Sequence, residues 1–267
     1  MKSIRLHDAT LNVADVGSGP ILLLVHGFPL DHSMWRYQLE SLSDAYRVIA
    51  PDLRGFGTST GATDTITMEQ LADDLAELLD QLDIREPITF CGLSMGGYVA
   101  WQFWKRHASR LARLILCDTR AAADTEEAAG GRLVMAQRVL SEGSAIIAEA
   151  MLPKLFAEAT VREQADTVEA TRQVMQAAVP LAVAGALRGM AQRVDMTSEL
   201  PKIDVPTLVI CGEQDAIVTV DEMSSIADAL PDANFVEVPG AGHMSPLEDP
   251  ITVNAAIRKF LADAPPG

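Results

Sequence analysis

Ser94 is the residue of this chain whose setting most invites covalent chemistry. It stands in Ile88-Thr89-Phe90-Cys91-Gly92-Leu93-Ser94-Met95-Gly96-Gly97-Tyr98-Val99-Ala100: an apolar strand, a glycine-flanked serine, then a helical pattern. G-x-S-x-G between a strand and a helix is the nucleophile elbow, a turn so tight that it lifts the serine hydroxyl clear of the sheet. Positions 92 and 96 carry only hydrogen, which leaves room for that strained backbone. The helix N-terminus behind Ser94 favours negative charge as it develops.

A serine hydroxyl attacks poorly unless a base takes its proton, so a histidine must come within reach. Of the five, His7 and His107 lie in polar surroundings, and His32 reads as surface or loop. His26 sits in the turn Val25-His26-Gly27-Phe28-Pro29. His243 stands in Pro239-Gly240-Ala241-Gly242-His243-Met244, a glycine-hinged loop after an apolar strand, and a base on such a loop can reach a serine on another strand. His243 is therefore the expected base. Its imidazole needs a carboxylate to hold the tautomer and stabilise the protonated ring. Asp215, four residues beyond the strand Leu208–Cys211, has the reach; Asp118, directly after Leu114–Cys117, also satisfies the order serine, acid, histidine. Asp215 is favoured, and Asp118 is left the alternative role of capping the helices that follow. The oxyanion would be held by the backbone N–H of Met95 and by that of Phe28 in the His26-Gly27-Phe28 turn, where His26 supplies a structural hydrogen bond.

These groups need strand ends to stand on. Short apolar runs recur at Ile21–Val25, Arg47–Ala50, Ile88–Cys91, Leu114–Cys117, Thr207–Cys211 and Asn234–Val238, as a parallel sheet covered on both faces requires. Helical patterns lie between them, clearest from Met68 to Leu82, with Thr67 and Gln70 spaced as a capping box. Thr219 with Glu222 announces a later helix, and Asp249 with Pro250 the last one. From Thr119 to Leu200 no strand pattern appears. This stretch reads as about four inserted helices divided by Gly130-Gly131, Gly143, Pro153 and Pro180, with Thr160 and Glu163 as another capping box. It holds five of the 11 methionines: Met135, Met151, Met175, Met190 and Met196.

The net charge of −16 in 267 residues makes nucleic acid a poor partner, since no basic surface is available for phosphates. With 48% hydrophobic and 22% charged residues, the chain is globular rather than disordered. The N-terminus lacks the apolar core of a signal peptide, and no stretch is long and apolar enough for a membrane span. Cys91, Cys117 and Cys211 each end an apolar strand and read as buried small hydrophobes; together these signs point to a reducing, cytoplasmic setting. Trp35, after the oxyanion turn, is expected near the pocket. Arg120 has two readings, a ligand for a substrate carboxylate or a partner of Asp124.

Taken together, the residues resemble the α/β-hydrolase-fold serine hydrolases, in the branch of enol-lactonases, aryl esterases and cofactor-free haloperoxidases (perhydrolases). The likeness runs through His26-Gly27-Phe28-Pro29, Pro51-Asp52-Leu53-Arg54-Gly55-Phe56-Gly57-Thr58-Ser59, Gly92-Leu93-Ser94-Met95-Gly96-Gly97, Gly212-Glu213-Gln214-Asp215 and Gly240-Ala241-Gly242-His243. It implies a mostly parallel eight-stranded sheet flanked by helices, built from residues 1–118 and 201–267, with residues 119–200 as a helical cap over the site. It also implies no metal or organic cofactor, scaffold roles for Asp52 and Arg54, and a small ester or lactone as substrate. Ser94 argues against the aspartate-nucleophile members, haloalkane dehalogenases and epoxide hydrolases. Pro29 beside the oxyanion residue resembles the perhydrolase loop, so a peracid-forming side activity is an expectation. Carbon–carbon bond hydrolysis of the meta-cleavage type, a non-catalytic receptor on the same fold, and a homo-oligomer all stay open.

Overall fold

The computed structural model describes residues 1–263. Its strands form one sheet in the order β1-β2-β4-β3-β5-β6-β7-β8. β1 (Lys2–Arg5) and β2 (Thr10–Val16) pair antiparallel at one edge, and β2 pairs antiparallel with β4 (Arg47–Pro51). Every other pairing is parallel, through β3 (Ile21–Val25), β5 (Ile88–Leu93), β6 (Leu111–Cys117), β7 (Thr207–Gly212) and β8 (Ala233–Val238). This is the mostly parallel eight-stranded sheet that the resemblance implies. β3, β5 and β7 are buried along their whole length, which is why they read as unbroken apolar runs.

Helices α1 (Arg36–Leu42), α2 (Met68–Gln81) and α3 (Met95–His107) precede or join the first strands. Five more separate β6 from β7: α4 (Glu126–Glu142), α5 (Ala145–Leu155), α6 (Glu158–Glu163), α7 (Ala165–Ala177) and α8 (Pro180–Ala191). Then come α9 (Val220–Ala229), α10 (Ser245–Glu248) and α11 (Pro250–Asp263). Thr67 Oγ1 accepts from the N–H of Gln70 at 3.1 Å and starts α2, whose Leu71, Leu75, Leu78 and Leu79 are fully buried. Each such leucine contributes about 1.5–3 kcal/mol. The Thr219–Glu222 capping box is complete, and Asp249 accepts from the N–H of Thr252 at 3.0 Å to start α11.

Three readings of the inserted stretch are corrected. It holds five helices rather than four, and the breaks differ: Gly130-Gly131 lie inside α4 and Pro153 inside α5, Gly143 and Pro180 mark boundaries as expected, and two more breaks fall at Phe156-Ala157 and at Gln164. Thr160 does not open a helix either. α6 begins after Ala157, and the Thr160 hydroxyl donates to Glu248, a carboxylate far along the chain, at 2.7 Å. Asp118 caps none of these helices: Thr125 starts α4 by accepting from the N–H of Ala128 at 3.2 Å. Met175, Met190 and Met196 are buried, while Met135 and Met151 are half-buried against the core. No single helix among the described residues is long and apolar enough to cross a membrane.

Candidate active site

The sheet order reverses between β3 and β5, because β3 leads to β4 on one side and β5 lies on the other. The crevice at the carboxyl ends of such neighbours is where open α/β sheets bind ligands. Register brings these ends level: Val25 faces Gly92, Leu93 faces Cys117, Cys117 faces Ile210 and Gly212 faces Val238. The segments leaving them carry Phe28, Ser94, Asp118, Asp215 and His243.

Ser94 leaves β5 at φ 52°, ψ −112°, in a region that side-chain-bearing residues avoid, and it starts α3. Three hydrogen bonds hold the strain. Ser94 N–H donates to Cys117 O at 2.9 Å, while Ser94 O accepts from the Thr119 hydroxyl at 2.7 Å and from Gly97 N–H at 2.9 Å. The glycines serve close approach: a methyl on Gly92 would lie 2.4 Å from the Gly96 backbone. Ser94 itself is half-buried among buried neighbours. Met95 is the first residue of α3, so its N–H has no partner within the helix.

The β3 turn comes close to this elbow, since a methyl on Gly27 would lie 3.4 Å from Ser94 Cβ. Leu30 N–H donates to Gly27 O at 3.0 Å and closes the turn around Phe28 and Pro29. His26 is wholly buried; its Nε2 accepts from Leu53 N–H at 2.9 Å, so the proton sits on Nδ1, which donates to Gly27 O at 2.8 Å. Burial pushes its pKa down and keeps the ring neutral, as this double role demands. His32, read as surface or loop, is half-buried, with Nδ1 2.6 Å from Asp52 Oδ1. That hydrogen bond raises the His32 pKa. Asp52 also accepts from Thr58 N–H at 3.0 Å; burial alone would raise its pKa, and its hydrogen bonds reverse this and hold it low. Arg54 is buried between Asp74 at 2.5 Å and Asp8 at 2.6 Å.

His243 and Asp215 meet directly, with Nδ1 2.7 Å from Oδ2 and both side chains almost fully buried. The other Asp215 oxygen accepts from the N–H groups of Ile217 at 2.7 Å and Val218 at 3.0 Å. Nδ1 therefore faces the carboxylate, and Nε2 is the ring nitrogen left free of it. The two loops touch backbone to backbone: a methyl on Gly212 would lie 2.0 Å from Gly242 O.

Asp118, the competing acid, makes no contact with His243. Its carboxyl accepts from Gly212 N–H at 2.8 Å and meets the Ser245 hydroxyl at 2.5 Å. Burial, and after it the nearby Asp215 charge, push its pKa well above the usual carboxylate range. Arg120 pairs with Glu222 at 3.0 Å, not with Asp124, whose partners are Arg132 and Arg193. Trp35 is fully buried, and its Nε1 is without a partner. Thr119, Ser245 and Glu248 escaped the sequence reading, because each acts on a segment remote in the chain. The one available signal was Glu248 amid Met244, Pro246 and Leu247, a charge in an apolar turn.

Residues 20–250 match the model of the α/β hydrolase fold, and the chain belongs to that family. Its similarity runs to esterases and enol-lactonases. A thermophilic esterase from Thermogutta terrifontis, solved with malate bound, is 46% identical, with a TM-score of 0.95 over 98% of this chain and 97% of its own. The enol-lactonase of Burkholderia xenovorans LB400 is 30% identical, with a TM-score of 0.91 over 98% of this chain and all of its own. 3-Oxoadipate enol-lactonase 2 of Acinetobacter baylyi is 29% identical over 97% of this chain and 96% of its length.

Proposed function

We propose that this protein is a carboxylic-ester hydrolase, acting on an ester or lactone through Ser94, His243 and Asp215. The observation that carries the reading is the buried 2.7 Å contact between His243 and Asp215, on loops level with the strained elbow of Ser94. His243 Nε2 takes the Ser94 proton as Oγ attacks the substrate carbonyl. The N–H groups of Phe28 and Met95 hold the oxyanion, a contribution of about 3 kcal/mol for each donor. Collapse of the tetrahedral intermediate expels the alcohol, which takes the proton from His243. Water, deprotonated by the same imidazole, then attacks the acyl-enzyme and releases the acid. Asp215, fixed by two backbone N–H groups, keeps the ring in the required tautomer and offsets its charge.

In this reading residues 119–200 form the lid and residues 1–118 with 201–267 the catalytic domain. Hydrogen peroxide in place of water would give a peracid from the same acyl-enzyme. The support for that side activity is 30% identity with the non-heme chloroperoxidase CPO-A1 of Kitasatospora aureofaciens over 86% of both chains. The three buried free thiols suit a cytoplasmic setting.

A short-chain p-nitrophenyl ester tests the proposal. The wild type should turn it over, and Ser94→Ala should lose nearly all of kcat. Comparable rates in both would sink the assignment. Turnover of ring-opened dienoates but not esters would move it to carbon–carbon hydrolysis, and tight binding without turnover to a receptor.

A further inference from the structure

We infer that Glu248 is a positioning residue for His243: its buried carboxylate ties the loop bearing the base to the inserted helices, so each holds the other in place. The inference rests on the hydrolase reading above and adds the device that keeps its base aligned. One Glu248 oxygen, Oε1, accepts from the N–H groups of Gly242 at 3.0 Å and Met244 at 3.1 Å, the residues on either side of His243. The other, Oε2, accepts from Ala157 N–H at 2.9 Å and the Thr160 hydroxyl at 2.7 Å, both at the start of α6. Four donors from two remote segments thus converge on one carboxylate that is 7% exposed.

Further contacts bind the same seam. Met244 N–H is shared with Leu155 O at 3.2 Å, and the Gln164 side chain donates to Glu248 O at 3.0 Å. A methyl on Gly242 would lie 2.7 Å from Ala157 N, so the two backbones are pressed together. Asp118 fastens the other end of the segment through Ser245. His243 is accordingly pinned on both flanks, by the sheet through Asp118 and by the lid through Glu248. Lifting the α5–α6 corner would strip a buried carboxylate of two donors while it still faces two more.

Glu248→Gln and Thr160→Val break the seam from opposite sides. Glutamine offers one acceptor oxygen and turns an NH2 group towards N–H donors. With a p-nitrophenyl ester, Glu248→Gln should lower kcat about tenfold or more, with KM within about twofold of wild type, because misplacing a base costs rate rather than binding. Thr160→Val adds no charge and lies outside the reacting groups; the loss of one hydrogen bond should lower kcat about threefold, and Thr160→Ser should restore it. In Thr160→Val, amide hydrogen exchange should quicken at Gly242 and Met244 as well as at Ala157. Unchanged kcat in Thr160→Val, with exchange altered only at α6, overturns the inference, whatever the melting temperature does. Should Glu248→Gln fail to fold, the Thr160 pair carries the test. A wild type inert towards esters would refute the hydrolase reading alone, since exchange at Gly242 in Thr160→Val still reports the tie.

Discussion

Asp118 and Asp215 follow neighbouring strands, have ligand-capable oxygens within 4.8 Å of one another, and live under opposite conditions. Asp215 curls back beyond β7, so that two backbone N–H groups and His243 receive its charge. Asp118 stops directly at the end of β6, wholly buried, where it meets one N–H and a hydroxyl and its pKa is pushed up. Two carboxylates this close repel one another when both are charged, and Asp118, deeper and with fewer donors, takes the upward push. What separates the proposed orienting acid from the other carboxyl is how far each lies beyond its strand, not the side chain.

The sharpest way to break this contrast is Asp215→Asn. The amide would turn an NH2 or a neutral oxygen to His243 and lose the tautomer that leaves Nε2 free. We expect kcat to fall about 10⁴-fold with folding retained, measured on a chromogenic ester and by circular dichroism. If Asp118→Asn gave that loss instead, with Asp215→Asn active, the roles would have to be exchanged.

Asp118→Asn should instead leave kcat within about threefold, because asparagine keeps an oxygen to accept from Gly212, and the Ser245 hydroxyl, which donates to Asp118, can turn to accept from the new NH2. Asp118→Ala removes both and leaves the Gly212 N–H buried without an acceptor. This costs about 1–3 kcal/mol, or roughly 2–12 °C in thermal melting. Equal melting points for the two variants would mean that the Asp118 hydrogen bonds do not matter.

The same contrast explains what the sequence could and could not reveal. The elbow was legible because Gly92, Ser94 and Gly96 interact within five residues, and the parallel strands because burial on both faces leaves only apolar residues. Asp215 and Asp118 could not be separated with certainty, since each follows an apolar strand and only the folding of Ile217 and Val218 beneath Asp215 distinguishes them. β1 was missed because Lys2, Ser3 and Arg5 are exposed, and β2 because its alternation is only two residues deep, Leu11 and Val13, before Asp15 breaks it. Gly130-Gly131 misled because α4 tolerates two glycines on its open face, where a methyl would touch nothing. Thr160 was misread because its carboxylate partner is Glu248, 88 residues away, rather than Glu163.

A smaller effect sharpens the comparison through a third buried carboxylate. Asp52, unlike Asp118, has a titratable base beside it, and its hydrogen bond to His32 raises the histidine pKa while burial only partly opposes this. A raised histidine stabilises the fold fully below its unfolded value of about 6.5 and loses that contribution as pH climbs through the folded value. His32→Gln keeps the backbone N–H that also donates to Asp52 and removes only the titrating ring. Its melting temperature should therefore fall below wild type by a few degrees near pH 5.5, about 1 kcal/mol for a partly exposed pair, and the gap should narrow by pH 8.5. Asp118 has a raised pKa without a cation, so in wild type its stabilising contribution also declines as pH rises. Asp118→Asn is free of that decline, and its stability relative to wild type should improve as pH rises above the ordinary carboxylate range. The expected result is that both signed differences, variant minus wild type, rise with pH; a gap for His32→Gln that widens with pH would show that the His32 ring gives Asp52 no charge-dependent support and that its other donors hold it.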